Sequence, residues 1–324
     1  MKELKEILTL GRSFWDSQVL LCSVKLKVFD FLDEFISAET LSKKIKVNSR
    51  ALRMLLDALT SLGFLEKKNN QYKNKGKYSE FLKSDSPKSV NSILTHYYNM
   101  WNDWGNLIQS IKTGKPTDNR KKDKEESYHF INGMDNLTKF YKDNLISNID
   151  FMKAKKILDI GSGPATYLKE MLKKNKNLQA VILDLPQATF VAKEKLKNEG
   201  LINRVKFIEG SLDEKDFGSG YDIILISQVL HSLNRKLCQI ALEKSFKALK
   251  KGGKIYIHEF YLNEKRTAPK DSVVFCINML LHTDGGDNFT IRELKELISS
   301  AGFSMEKTIR FKKPPTVLIE GIKI

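Results

Sequence analysis

Past Lys155 the sequence alternates between short apolar runs and amphipathic stretches, and this alternation restricts the fold more than any other feature. The runs are Ile157–Ile160, Ala180–Leu183, Val205–Ile208, Ile223–Ile226 and Ile255–Ile257; Ala188–Asn198 and Arg235–Leu249 lie between them with helical spacing. Nearly continuous apolar strands are covered on both faces, and parallel strands gain that cover from helical crossovers. The fold class predicted is α/β, with a doubly wound sheet. Lys251, Gly252, Gly253 and Lys254 predict a tight helix-to-strand turn before the fifth strand. Two further runs, Phe303–Lys307 and Thr316–Gly321, stand close enough to pair antiparallel, giving a seven-stranded, mostly parallel Rossmann-like sheet.

The first run breaks at Asp159, Gly161 and Gly163 and then turns helical. At the two glycines the backbone can turn sharply and let a ligand approach where a Cβ would obstruct it. A dinucleotide fingerprint needs a third glycine three residues on, but Pro164, Ala165 and Thr166 follow instead. No phosphate-binding Lys-Ser/Thr pair is present either. One βαβ unit later, Asp184 closes the second run, where a carboxylate can hold two ribose hydroxyls. A turn of this spacing suits a ligand with a ribose and an amino acid tail, and S-adenosylmethionine is that ligand. Asp159 is expected to order the turn.

The chain has 324 residues, 41% of them hydrophobic, enough for two domains. We read residues 1–90 as a mainly helical winged-helix domain, 91–150 as a helical connector and 151–324 as the cofactor domain. No apolar run is long enough to span a bilayer and the first residues lack a signal peptide's apolar segment, so the expected location is cytoplasmic. Cys22, Cys238 and Cys276 are odd in number and widely spaced, which suits reduced core thiols. The net charge is +16, from 55 basic and 39 acidic residues. Lysines are spread over nearly every helix and loop without interleaved aromatics along one groove, which argues for a solvated surface and against a nucleic-acid partner. The mixed-sign cluster Arg120–Glu126 predicts an exposed connection.

In the first ninety residues Thr40–Ile45 reads as a short helix, and Asn48 caps a longer one over Ala51–Leu62 that stops at Gly63. Phe64–Lys68 and Gln71–Lys75 flank Asn69 and Asn70 as a hairpin wing. Such a module can read DNA, but here the second helix is largely apolar and offers only Arg50 and Arg53 as base readers. Leu8, Leu10, Phe14, Trp15, Val19, Leu20 and Leu21 crowd the opening helix with more apolar surface than a small core absorbs. A second subunit is the expected cover. Tyr97, Tyr98, Trp101 and Trp104 lie in the connector, some expected toward a substrate cleft and most in the core.

These segments, in this order, resemble the class I S-adenosylmethionine-dependent O-methyltransferases of the caffeate and hydroxyindole type, including bacterial relatives acting on small aromatic or polyketide-like compounds. The likeness is carried by Phe14–Leu21, Leu158–Gly163, Leu183–Pro186, Gln228–His231, Lys251–Gly253, Met279–Gly286 and Ala301–Phe303. It implies a homodimer formed through the winged-helix domain, a small-molecule acceptor, and S-adenosyl-L-homocysteine as by-product. It further implies cofactor contacts from Asp159, Gly161, Gly163, Asp184, Leu185, Ser211, Leu212 and Ser227, with Ser211 or Asp213 standing where relatives hold the adenine amino group. Met279, Thr283 and Asn288 match acceptor-contacting positions, and no metal is implied.

The resemblance places the catalytic base at His231, which also ends the fourth strand, at the edge where open α/β sheets bind ligands. A phenol with a pKa of about 10 is mostly protonated at neutral pH, and an imidazole titrates in the range that can take its proton. Glu259 matches one carboxylate that orients the histidine. The second such carboxylate is replaced: Asn288 stands at its position with Asp287 before it, so orientation rests on Glu259 alone or on an amide. Ser232 and Leu233 follow where the family has Asp-Trp, which keeps carbon or nitrogen methylation and participation of His258 or His282 in view, while the winged helix keeps open a S-adenosylmethionine-sensing DNA-binding regulator.

Overall fold

The computed structural model describes residues 1–117 and 123–324, so the charge cluster at 120–126 lies partly outside the described residues. The chain forms two compact units, residues 1–101 with 128–137 and residues 102–127 with 138–324, so the helical stretch 91–150 is shared between them.

In the first unit the long helix α1 (Lys2–Lys25) precedes α2 (Ala38–Ile45) and α3 (Ser49–Ser61). Each short helix starts at a side-chain cap: Ser37 Oγ accepts from the Thr40 amide at 3.1 Å, and Asn48 Oδ1 from the Ala51 amide at 3.0 Å. Strands β1 (Ile36–Ser37), β2 (Leu65–Lys68) and β3 (Gln71–Asn74) form a sheet in the order β1-β3-β2. Asn69 and Asn70, both at positive φ, make the β2–β3 turn, as the two-residue hairpin geometry requires. Leu52, Leu56 and Leu59, one face of α3, are fully enclosed with Phe29, Leu41 and Tyr72. Each such burial contributes roughly 1.5–3 kcal/mol. By contrast Leu10 on α1 is 74% exposed and Trp15 is 60% exposed.

The second unit is built on β4 (Lys156–Ile160), α4 (Thr166–Lys174), β5 (Gln179–Asp184), α5 (Pro186–Asn198), β6 (Val205–Glu209), β7 (Tyr221–Ser227), α6 (Arg235–Ala248), β8 (Leu249–Leu262), α7 (Lys270–His282), β9 (Phe289–Thr290), α8 (Ile291–Ser300), β10 (Ser304–Lys312) and β11 (Pro315–Ile322). The sheet order is β10-β11-β8-β7-β4-β5-β6, with the two-residue β9 added beside β8. β11 alone is reversed, pairing antiparallel with β8 and with β10, while the sheet's other pairings are parallel. Alternate residues fill the two faces: Leu158, Ile160, Ile224 and Ile226 on one side, Ile157, Ile223 and Leu225 on the other. That double cover is why these strands read as unbroken apolar runs.

One expectation is corrected. Lys251–Lys254 does not form a turn ahead of the strand; it lies within β8, where the pairing with β7 shifts between Tyr221 and Ile223. Gly252, at φ +76°, supplies the left-handed residue this irregularity needs, and Gly253 leaves no room for a Cβ beside the Lys250 carbonyl.

Candidate active site

The strand order reverses beside β4, which pairs β5 on one side and β7 on the other, so their carboxyl ends open a crevice. Gly161, at φ +68°, turns the chain out of β4 while its amide donates to the Leu183 carbonyl at 2.8 Å. A Cβ at Gly161 would collide with the Val229 side chain, so only glycine lets the segment after β7 lie on this turn. Gly163, at φ +54°, faces open space.

Asp184 reaches back from β5: its two carboxylate oxygens accept from the Gly163 and Leu185 amides, each at 2.7 Å. Asp159, 3% exposed, accepts from Ser162 Oγ at 2.6 Å. Burial, with a smaller push from the Asp184 charge, raises Asp159 to about 7 against the lowering Ser162 bond. Burial also raises Asp184, against the amide bonds that lower it. Among the described residues neither carboxylate has an ion-pair partner. The crevice thus holds two acidic side chains with no cation beside them, and burial favours the protonated form of each.

Around this turn, Leu185 is 54% exposed ahead of α5, whose first residue is Pro186. Ser211 Oγ bonds the Asp213 carboxylate, and Leu212 is buried. Lys244 on α6 stitches that loop together, its ammonium donating to the carbonyls of Leu212, Asp213 and Lys215. Ser227 is engaged by Tyr167 and by His258 Nδ1, the latter at 2.9 Å.

Beyond Ser227, Gln228 adopts φ +59°, a left-handed state uncommon for a residue with a side chain, and its amide donates to the His258 carbonyl at 2.8 Å. This bend carries Val229, Leu230 and His231 over Glu259, which is wholly enclosed. Glu259 Oε1 accepts the Val229 and Leu230 amides at 2.8 and 2.6 Å, and Oε2 pairs His231 Nδ1 at 2.7 Å. A carboxylate accepts, so Nδ1 is the donor in this pair and Nε2 is the ring nitrogen not engaged by Glu259. The Phe275 ring meets the imidazole edge-on at 5.1 Å, and Phe260 packs on Phe275 at 4.9 Å.

The other histidines are committed elsewhere. His258 is held between Ser227 and Thr316, the latter at 3.0 Å, and burial lowers it to about 4, so it is neutral at neutral pH. His282 bonds the Asn278 carbonyl at 2.8 Å and Asp103 at 3.1 Å. The three positions expected to contact the acceptor lie on or after α7. Met279 is buried; Thr283 Oγ1 donates to the Met279 carbonyl at 2.6 Å and accepts the Gly286 amide at 3.1 Å. Asn288 presents no surface, its amide donating to the Ser272 carbonyl at 2.6 Å. Asp287 pairs with Arg266. Among the described residues neither Asp287 nor Asn288 bonds the imidazole, whose hydrogen-bond partner is Glu259.

Sequence reasoning took Gln228 only as part of a motif, without its backbone bend, and passed over Phe275 and Arg266. A residue forced into the left-handed region leaves no mark in composition, and the other two act through contacts distant in sequence.

An O-methyltransferase domain model matches residues 109–304, and an O-methyltransferase dimerisation domain model matches residues 8–83. The chain is similar to 3-hydroxy-5-methyl-1-naphthoate 3-O-methyltransferase of Streptomyces sahachiroi, with 25% identity over 97% of this chain and 94% of that one. It is also similar to acetylserotonin O-methyltransferase of Gallus gallus, with 26% identity over 90% of each. Among solved structures, an O-methyltransferase family protein from Burkholderia thailandensis shares the fold at a TM-score of 0.90, with 22% identity over 99% of this chain and 98% of that one.

Proposed function

The chain belongs to the S-adenosylmethionine-dependent O-methyltransferase family, and on that premise we propose that it methylates a hydroxyl of a small aromatic or apolar acceptor, with His231 as general base. The observation that carries this reading is the Glu259–His231 pair, which leaves Nε2 as the free acceptor at the crevice.

The residues at the turn fit the donor. Two buried carboxylates without a cation suit a ligand bearing a sulfonium and an ammonium, and the open space at Gly163 leaves room for it. Asp184 would hold the ribose hydroxyls, Leu185 would cover the adenine, and the Ser211–Leu212 loop and Ser227 would border the site. When bound, S-adenosylmethionine supplies an electrophilic methyl group and departs as S-adenosyl-L-homocysteine. His231 Nε2 takes the hydroxyl proton as the acceptor oxygen bonds the methyl carbon. Glu259 stabilises the imidazolium so formed. Phe275 and Phe260 keep water from the imidazole and offer ring faces to an aromatic acceptor. Two relatives named for hydroxylated aromatic acceptors support that class. The dimerisation-domain match and the exposed face of α1 support a homodimer.

Replacing His231 with Ala is expected to leave donor binding by calorimetry unchanged and to lower turnover about a hundredfold to ten-thousandfold. Retained turnover would remove His231 as the base. Mass spectrometry of the product from a hydroxylated aromatic panel tells oxygen methylation from carbon or nitrogen methylation.

A further inference from the structure

We propose that Arg266 is a positioning residue for His231, acting through the loop and helices that pack around the base. The proposal rests on His231 being that base. Nη1 of Arg266 donates to both oxygens of Glu293, at 3.1 and 3.3 Å, while Nη2 donates to the Asp287 carboxylate and to the Asn288 carbonyl, the latter at 3.0 Å. Arg266 has φ +55°, and Asn263 fixes this bend by accepting the Thr267 and Ala268 amides on its side chain at 2.8 and 3.1 Å.

Each attachment leads to the base. Asp287 and Asn288 follow Gly286, which passes so near His231 that a Cβ there would lie 2.5 Å from the His231 carbonyl oxygen. Asn288 in turn is bonded to Ser272 on α7, the helix whose Phe275 ring meets the imidazole. Glu293 also takes Arg235 at 2.7 Å, and Arg235 opens α6 at the far end of the segment that bears His231. Glu259 therefore holds the ring, and Arg266 gathers the backbone around it.

The clamp balances two guanidiniums against two carboxylates. With the Arg266 side chain 38% exposed, its net contribution to stability is small, whereas a shift of the base by about 1 Å costs turnover heavily. The expected loss is of aim, not of fold.

Full-length Arg266→Gln, Arg266→Lys and His231→Ala proteins are compared with the parent for methyl transfer from labelled S-adenosylmethionine to a panel of hydroxylated aromatics. Arg266→Gln is expected to lower kcat about tenfold with the KM for the donor unchanged and little change in melting temperature. Arg266→Lys should show the same kcat loss, because an ammonium cannot fork between two carboxylates and a carbonyl. A folded Arg266→Gln protein with parental kcat overturns the proposal. If that variant does not fold, Asp287→Asn removes one arm at a half-exposed carboxylate, and parental kcat there overturns it equally. An active His231→Ala protein sinks the base assignment itself; an inactive one beside a fully active Arg266→Gln sinks the clamp alone.

Discussion

Asp159 carries a pH dependence of definite sign. Its folded pKa, raised to about 7 from an ordinary carboxyl value, means that the folded protein holds a proton the unfolded chain has released. The stability this provides is present at acid pH, falls as pH rises between the two values, and is gone above about pH 7. A cation placed beside Asp159 favours its carboxylate, so donor binding expels that proton and affinity rises with pH until about 7, then levels. Calorimetry at about pH 6 and about pH 8 should show tighter binding at the higher value, by up to about tenfold in all, and Asp159→Asn should flatten the profile. A flat profile in the parent protein would rule out Asp159 as a neighbour of the bound cation. At this scale part was legible: Gly161 and Gly163 follow the end of β4 and Asp184 closes β5, where the apolar runs break, whereas His231 lies past the end of β7 in a short 3-10 turn and Glu259 lies inside β8, not at the strand ends the apolar runs suggest. The engagement of Thr283 and Asn288 in local hydrogen bonds was not, because residue type does not say which partner a hydroxyl or amide will find.

Between elements, the loop at 211–215, proposed to border the donor, illustrates how a charge can serve as a staple. Lys244 on α6 donates to three carbonyls of residues 212–215, groups with no strand or helix partner to satisfy them. Lys244→Met should free that loop, raising the donor KM several-fold while leaving kcat at saturating donor near the parental value. An unchanged donor KM would show that the loop keeps its shape unaided or does not touch the donor. The strands themselves were legible from apolar periodicity, and so were the capped helices of the first unit. The extent of β8 was not: two adjacent glycines read as a turn, yet pairing with β7 continues on both sides of them. Glycine marks an unusual backbone angle, and only the neighbouring strand decides whether the chain reverses there or bulges.

At the scale of the whole molecule, the sheet class follows from the change of periodicity near Lys155, whereas the division into two units falls within residues 91–150 and depends on packing that no local pattern encodes. No helix among the described residues is long and apolar enough to cross a membrane. The proposed homodimer is testable through α1: sedimentation should find two copies for the parent, and Leu8→Glu with Trp15→Glu should shift the population to single copies, since both side chains are more than half exposed in the isolated chain. Sedimentation of the double variant as a dimer would move the interface elsewhere. The uncovered stripe on α1 has a consequence for biogenesis. On the proposed homodimer, a newly made copy that has met no counterpart displays greasy bulk to the crowded medium, so its last maturation step would be bimolecular and recovery of usable protein would depend on how fast copies encounter one another.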